Sequence, residues 1–227
     1  MEQARCRICL ILHCKKQRMK KLYFVLITIG LLVNVAEAQN DAGAKKILDE
    51  VTAKLKTFKG ITSVFHLVSK GQNGKVNNTI NGRIAIKGNK YYIKQGASEI
   101  FSDGNKTWNY NGNDEVTVTA ADDDNQLLSP QKLMTNFYDK DFSYQLISSA
   151  GNFSQIQLKP LDKRKNFKQV NIFIDKSRQM ITKAKVVDKN NNIVDFTMSA
   201  INTSANIPDN TFVFDKKKYK KNIEVIE

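Results

Sequence analysis

The chain is 227 residues long, 41% hydrophobic, and carries 36 Lys and Arg against 22 Asp and Glu, a formal net charge of +14. Length and apolar content suit one globular domain with a good core, and no Pro-rich or Gly-Ser linker divides it. Cys6, Cys9 and Cys14 are the only cysteines, so everything after them has neither disulfides nor a thiol nucleophile.

Met19-Lys20-Lys21 is a positively charged start, Leu22 to Val35 is an apolar core, and Ala36-Glu37-Ala38 is a small-x-small cleavage motif. This order predicts a secretory signal peptide cleaved after Ala38. The apolar core falls short of the roughly 20 residues that span a bilayer. Residues 1–18 read as an upstream extension, and their C-x2-C-x4-C spacing, half of a zinc pattern, has no second half downstream. Residue 39 is Gln, where an acyl anchor would need Cys, so a soluble product beyond the inner membrane is expected. The expected organisation is an extension and signal over 1–38 and a single domain over 39–227. That domain keeps 29 basic residues against 20 acidic ones, a charge of +9.

Ala44, Ile47, Leu48, Val51, Leu55 and Phe58 recur at three- and four-residue spacing, which predicts an amphipathic helix over Asp41 to Phe58, ended by Gly60. A helix that covers a sheet can also act as a lid, with Leu48, Val51 and Leu55 as its inward residues. From Ile61 the period changes to two. Strands are predicted at Ile61 to Ser69, Val76 to Lys87, Lys90 to Gln95, Glu99 to Ser102, Lys106 to Tyr110 and Glu115 to Thr119, with turn residues between them. Asp103-Gly104 is the strongest hairpin signal, because Gly accepts the positive φ that such a turn requires.

Asp122-Asp123-Asp124 reads as a solvated acidic loop. Ser129-Pro130 starts a predicted helix that presents Leu133, Met134 and Phe137 on one side. Strands return at Phe142 to Ser148, Phe153 to Leu158, Phe167 to Asp175, Met180 to Asp188, Ile193 to Ala200 and Thr211 to Phe214. Sequential short connections make this a meander, and so many strands favour a curled sheet or barrel.

Catalytic chemistry is not signalled. His66, the one histidine after the leader, is a lone strand residue without a metal-ligand or triad partner, and no glycine-rich phosphate loop occurs. No metal site and no cofactor are expected. Lysines scattered on alternating strand faces do not form a nucleic-acid footprint. The run Lys216 to Lys221 reads as a solvated tail or as an attraction to anionic membrane surfaces. What is left is an apolar inventory: Phe65 with Leu67, Ile84 with Ile86, Tyr92, Trp108 with Tyr110, Ile172 with Ile174, and the Leu133, Met134, Phe137 helix face. Such stripes fill a small barrel as core or line the cavity of a larger one, and the pattern allows both.

The order of features, with G-R-I-A-I-K-G-N-K-Y-Y, I-F-S-D-G-N-K-T-W-N-Y-N, F-K-Q-V-N-I-F-I-D and I-P-D-N-T-F-V-F-D, resembles the LolA family of periplasmic lipoprotein carriers over nearly all of the chain after the leader. The resemblance implies a mainly β, α+β fold: an unclosed antiparallel barrel with a helical lid. Its apolar cavity would take the acyl chains of lipoproteins received from an inner-membrane lipoprotein-releasing transporter. A monomer would then pass them to the outer membrane, with or without an acceptor there. Family members carry Arg-Pro before the aromatic strand, the arginine helping to hold the lid. Here that stretch is Lys87-Gly88-Asn89-Lys90, and Lys87 stands in its place without the planar fork of arginine. A regulatory module that senses lipoproteins and an envelope lipid hydrolase are the alternative classes.

Overall fold

A computed structural model describes residues 40–121, 137–219 and 222–227. The predicted leader, the acidic loop, and Leu133 and Met134 lie outside the described residues, and Phe137 is described only as the start of a helix. Helix α1 (Ala42–Leu55) is followed by β1 (Ile61–Lys70), β2 (Val76–Lys87), β3 (Lys90–Gln95), β4 (Ser98–Ser102), β5 (Lys106–Tyr110) and β6 (Glu115–Ala120). Then come α2 (Phe137–Asp141), β7 (Phe142–Ser148), β8 (Phe153–Pro160), β9 (Phe167–Asp175), β10 (Met180–Asp188), β11 (Ile193–Asn202) and the short β12 (Glu224–Ile226).

The twelve strands of the described residues form one sheet in the order β12-β6-β5-β4-β3-β2-β1-β11-β10-β9-β8-β7. Two meanders, β1 to β6 and β7 to β11, are joined where β1 pairs with β11 from Thr62↔Asn202 to Lys70↔Ile193. The edges, β12 and β7, do not pair with each other, so the barrel is unclosed as expected. Every pairing is antiparallel except β12 beside β6, a strand the sequence pattern did not reveal.

Local chemistry explains the elements. Asp41 caps α1, its Oδ1 accepting from the Gly43 and Ala44 amides at 2.7 and 3.1 Å, which satisfies donors that have no helical partner. Its Oδ2 accepts from the Leu146 amide at 3.0 Å, and the Asn40 side chain accepts from the Tyr144 amide, so the helix start also covers outward donors of edge strand β7. The predicted hairpin is present. Asp103 Oδ1 accepts from the Asn105 and Lys106 amides at 2.8 Å, and Gly104 turns at φ +94°.

The predicted strand at Thr211 to Phe214 is instead a 3-10 turn, Asp209–Phe212. Pro208 fixes its own φ and its carbonyl accepts from the Thr211 amide, which favours a turn over an extended run.

Alternation sorts the sheet into two faces. Ile61, Phe65, Ile84, Ile86, Tyr91, Ile156, Leu158, Val170, Ile172 and Ile174 join Ala44, Leu48, Val51 and Leu55 of α1 in one core; this is the inner face. The outer face is apolar over β2 to β5, where Ala85 and Tyr92 pack with Ile207 and Phe212 of the arm that follows β11. Gly82 makes the inner packing possible. It lies opposite Phe65 in the β1–β2 pair, and a Cβ there would come within 2.3 Å of the Phe65 ring and 2.5 Å of the Lys94 carbonyl. The bare backbone leaves room for the Phe65 ring over β2, and Phe65 also stacks with Phe196 of β11, with ring centroids 5.8 Å apart.

Gly82→Ala is therefore expected to destabilise by about 1–3 kcal/mol through overpacking, read as a lowered urea midpoint. An unchanged midpoint would contradict the close approach.

Candidate functional site

The inner face has two parts. α1 lies against β7 and β10, and beneath it Phe65, Ile84, Ile86, Ile172 and Ile174 are buried together with Leu48, Val51 and Leu55. Across β11 and β1 to β4 the wall stays apolar but only half-buried: Leu67, Ile80, Ile93, Ile100, Phe196 and Met198. Register brings them together, since Phe196, Leu67 and Ile80 form one row across β11, β1 and β2, and Ile84, Ile93 and Ile100 another across β2, β3 and β4. One row further on, Ser69 and Asn78 are polar on β1 and β2, while Val194 and Val186 of the same row carry the apolar surface on across β11 and β10. The result is a lipophilic surface beside a helix, with a polar rim.

Three of the expected wall residues stand elsewhere. Tyr92 pairs with Phe101, Phe101 with Trp108, and Glu99 with Tyr110, and all five are on the outer face. Period two says which residues of a strand share a face but not which face is inner, and aromatic size is no guide. There the rings meet the C-terminal arm: Phe214 lies 5.9 Å from Phe101 and 5.0 Å from Tyr219, which lies 4.7 Å from Tyr110. Under these rings sits the buried Glu99, which accepts from Tyr92 and Lys94 at 2.7 Å and from the Tyr219 hydroxyl. Burial pushes its pKa up, but the bonds from Lys94, Tyr219 and Tyr92 win and hold it below the ordinary value. Burial and then Glu99 push Tyr92 and Tyr219 up.

Of the expected lid residues, Leu48, Val51 and Leu55 face the core, and Lys87 does not reach α1. Its ammonium donates to the Ile207 carbonyl at 3.1 Å and to Asp209 at 2.7 Å, while Lys90 holds the other Asp209 oxygen at 3.2 Å. Lysine here clamps the C-terminal arm. Lys87 was aligned by the family pattern, and its partner, 122 residues away, carried no local signal.

α1 is held by a different set of polar contacts. Lys45 donates to Asp49 at 3.3 Å and to Asp139 at 3.0 Å. The Tyr138 hydroxyl donates to Asp49 at 2.6 Å, and the Tyr144 hydroxyl to Asp139 at 2.8 Å. These bonds join α1 to α2 and β7. The sequence signals none of them beyond the i, i+4 spacing of Lys45 and Asp49. The Tyr144 bond, helped by Lys45, holds Asp139 below its ordinary value. Burial first, then Asp49, pushes Tyr138 up to about 12.

Because the folded pKa of Asp139 lies below the ~3.9 of a free Asp, the stability it contributes is present above that value and is lost as pH falls through the folded one. Amide exchange in α1 should accordingly speed up on acidification below about pH 4, and Asp139→Asn should flatten that dependence. Tyr138→Phe should cost about 1 kcal/mol and accelerate exchange in α1 more than in β8 and β9. Equal acceleration in helix and sheet would show that these bonds do not hold α1.

Among the described residues, no group of three His, Cys, Asp or Glu side chains is arranged to hold a metal ion. His66 meets Asn81 at 2.6 Å on the outer face. No helix of the described residues is long and apolar enough to cross a membrane.

The family model described as "Outer membrane lipoprotein carrier protein LolA" matches residues 56–215. No curated protein sequence matches the chain. Among solved structures, an uncharacterized conserved protein from Thermus thermophilus is 12% identical, aligned over 81% of this chain and 98% of its own, with a TM-score of 0.51. A LolA superfamily protein from Nitrosomonas europaea is 11% identical over 75% of this chain and 97% of its own, with a TM-score of 0.43. In the MucA/MucB complex of Pseudomonas aeruginosa the corresponding figures are 12%, 77%, 62% and 0.47. With a family match over well more than half of its length and the unclosed, helix-covered barrel described above, the chain belongs to the LolA family.

Proposed function

We propose that this protein is a periplasmic carrier of lipoproteins that shields their acyl chains against the inner face of its sheet. The observation that carries the reading is the half-buried wall of Leu67, Ile80, Ile93, Ile100, Phe196 and Met198, continuous with the core under α1. Six partly exposed apolar side chains along one stretch of sheet are the kind of surface that marks a ligand or interaction site. Each acyl CH2 moved from water to such a wall gains about 0.8 kcal/mol, so two or three chains would be held firmly without any covalent step, and the protein acts as a binding protein and not as an enzyme. Displacement of α1 from Phe65, Ile84, Ile86, Ile172 and Ile174 would enlarge the site, which makes Leu48, Val51 and Leu55 lid residues that trade one apolar partner for another.

In the same reading residues 39–227 are the exported domain, released by cleavage after Ala38. It acts as a monomer, receives cargo from an inner-membrane lipoprotein-releasing transporter and delivers it to the outer membrane, with or without an acceptor. Cargo must be held tightly enough to cross water and loosely enough to leave, and a wall that is only partly covered meets both demands.

Purified protein mixed with a triacylated lipopeptide should form a one-to-one complex that survives in detergent-free buffer. Leu67→Glu combined with Phe196→Glu should lower retention by about tenfold or more, since each carboxylate would have to lose its water against an acyl chain. Trp108, on the outer face, should keep its emission spectrum when the lipopeptide binds. Retention unchanged in the double variant would overturn the reading.

A further inference from the structure

We propose that the end of the sheet carrying the β1–β2, β8–β9 and β10–β11 turns docks on an anionic membrane surface. Pairing puts these turns at one end: Lys70 lies opposite both Val76 and Ile193, Asp188 opposite Phe167, and Pro160 opposite Phe142. Of the half-buried apolar wall, Leu67, Ile80 and Phe196 lie nearest this end.

Two features set it apart. The most exposed large apolar side chains among the described residues are Leu161, at 57%, and Val76, at 52%, and both sit here. Lysines flank each of them: Lys75 beside Val76, and Lys140, Lys163, Lys168 and Lys189 around Leu161. The three segments that supply the Leu161 group are tied together. The Leu161 amide donates to the Asp141 carbonyl at 2.9 Å, the Lys189 amide to Asn166 at 3.2 Å, and the Lys189 ammonium to the Lys163 carbonyl at 2.9 Å. Lys168 donates to Asn191.

On the faces of the fold lysines have acids: Lys45 has Asp49 and Asp139, Lys87 and Lys90 have Asp209, and Lys94 has Glu99; at the docking end Lys70 has Asp195. At this end, Lys75, Lys140, Lys163, Lys168 and Lys189 have no carboxylate within ion-pair distance among the described residues. The local acids do not cancel them. Asp162 is engaged by Arg164 at 2.9 Å, and Asp141 and Asp188, the latter with oxygens that accept from Asn192 at 2.7 Å, leave two carboxylates against five ammonium groups.

Unpaired ammonium groups around a projecting leucine match a bilayer surface. Phosphate headgroups meet the cations, and the leucine reaches the boundary of the acyl region. An acidic protein surface would account for the lysines but not for two bare apolar tips. Docked this way, the polar rim at Ser69 and Asn78 faces the headgroups and the Leu67, Ile80 and Phe196 row of the apolar wall lies nearest the lipid. Passage of acyl chains there rests on the carrier reading; the docking itself does not.

The test is co-sedimentation of the purified protein, without cargo, with vesicles of mixed phosphatidylglycerol and phosphatidylcholine. Binding is expected with these vesicles, to weaken with added salt, and to be absent with phosphatidylcholine alone. Lys163→Glu with Lys189→Glu should lower affinity at least about tenfold, and Leu161→Ser should lower it severalfold with no change of charge. Lys59→Glu with Lys176→Glu makes the same charge change at the other end of the sheet and should have less than a threefold effect. Equal losses from the two double variants, an unaffected Leu161→Ser, or no binding to the mixed vesicles would overturn the proposal. Lipopeptide retention, measured separately, keeps failure of docking distinct from failure of carriage.

Discussion

A sheet with apolar side chains on both faces must be covered on both, and this requirement organises the rest of the molecule. On the outer side the cover is the arm that runs from Ala205 to Tyr219. It is fixed by the buried Phe212, by the ring cluster around Phe214, and by two polar clamps, Asp209 with Lys87 and Lys90, and Glu99 with Tyr92, Lys94 and Tyr219. On the inner side the cover is α1, and it is incomplete. Of its polar attachments, the Lys45–Asp49 pair is water-exposed, each having 44% of its side-chain surface accessible. Exposed ion pairs of this kind contribute roughly 0–1 kcal/mol apiece.

The two covers thus differ in kind. The outer one is tied down through a carboxylate buried under aromatic rings, where an unpaired partner would be costly. The inner one relies mostly on apolar contact between Leu48, Val51 and Leu55 and the sheet. Apolar contact is non-directional, and an acyl chain can replace it with little loss. On the carrier reading, α1 would be the movable element, over the face that stays lipophilic, and the arm the fixed one, over the face that carries Tyr92, Trp108 and Tyr110. The unclosed edge between β7 and β12 leaves the barrel without the rigidity of full pairing, so a change in α1 need not break a ladder.

Much of this fold could be read from the residues alone. The 3.6 period gave α1 within a few residues of its ends, because Asp41 is a capping side chain and the stripe is regular. Asp103-Gly104 specified a hairpin through its own hydrogen bonds, and most strands followed from alternation and turn chemistry. What could not be read depends on contacts distant in sequence. The β1–β11 pairing joins residues about 130 positions apart, and the 3-10 turn at Asp209 is made in place of a strand because nothing pairs with it. The site was harder still. Phe65, Leu67, Ile84, Ile86, Ile172 and Ile174 are inner residues as expected, but Tyr92, Trp108 and Tyr110 are not, because period two leaves the identity of the inner face open until a helix is placed against it. Ile80, Ile93, Phe196 and Met198 were within reach, since each pairs against a residue already named, and Ile100 follows by its pairing with Ile93.

The central claim is that acyl chains lie on the inner wall beside α1 and not under the C-terminal arm. Paramagnetic broadening by a triacylated lipopeptide that carries a nitroxide on one acyl chain tests it most directly. The account predicts loss of backbone signals around Leu67, Ile80, Ile93 and Phe196, with those around Trp108, Tyr110 and Phe214 retained. Broadening centred on the Trp108 and Phe214 face, or spread evenly over both faces, would contradict it.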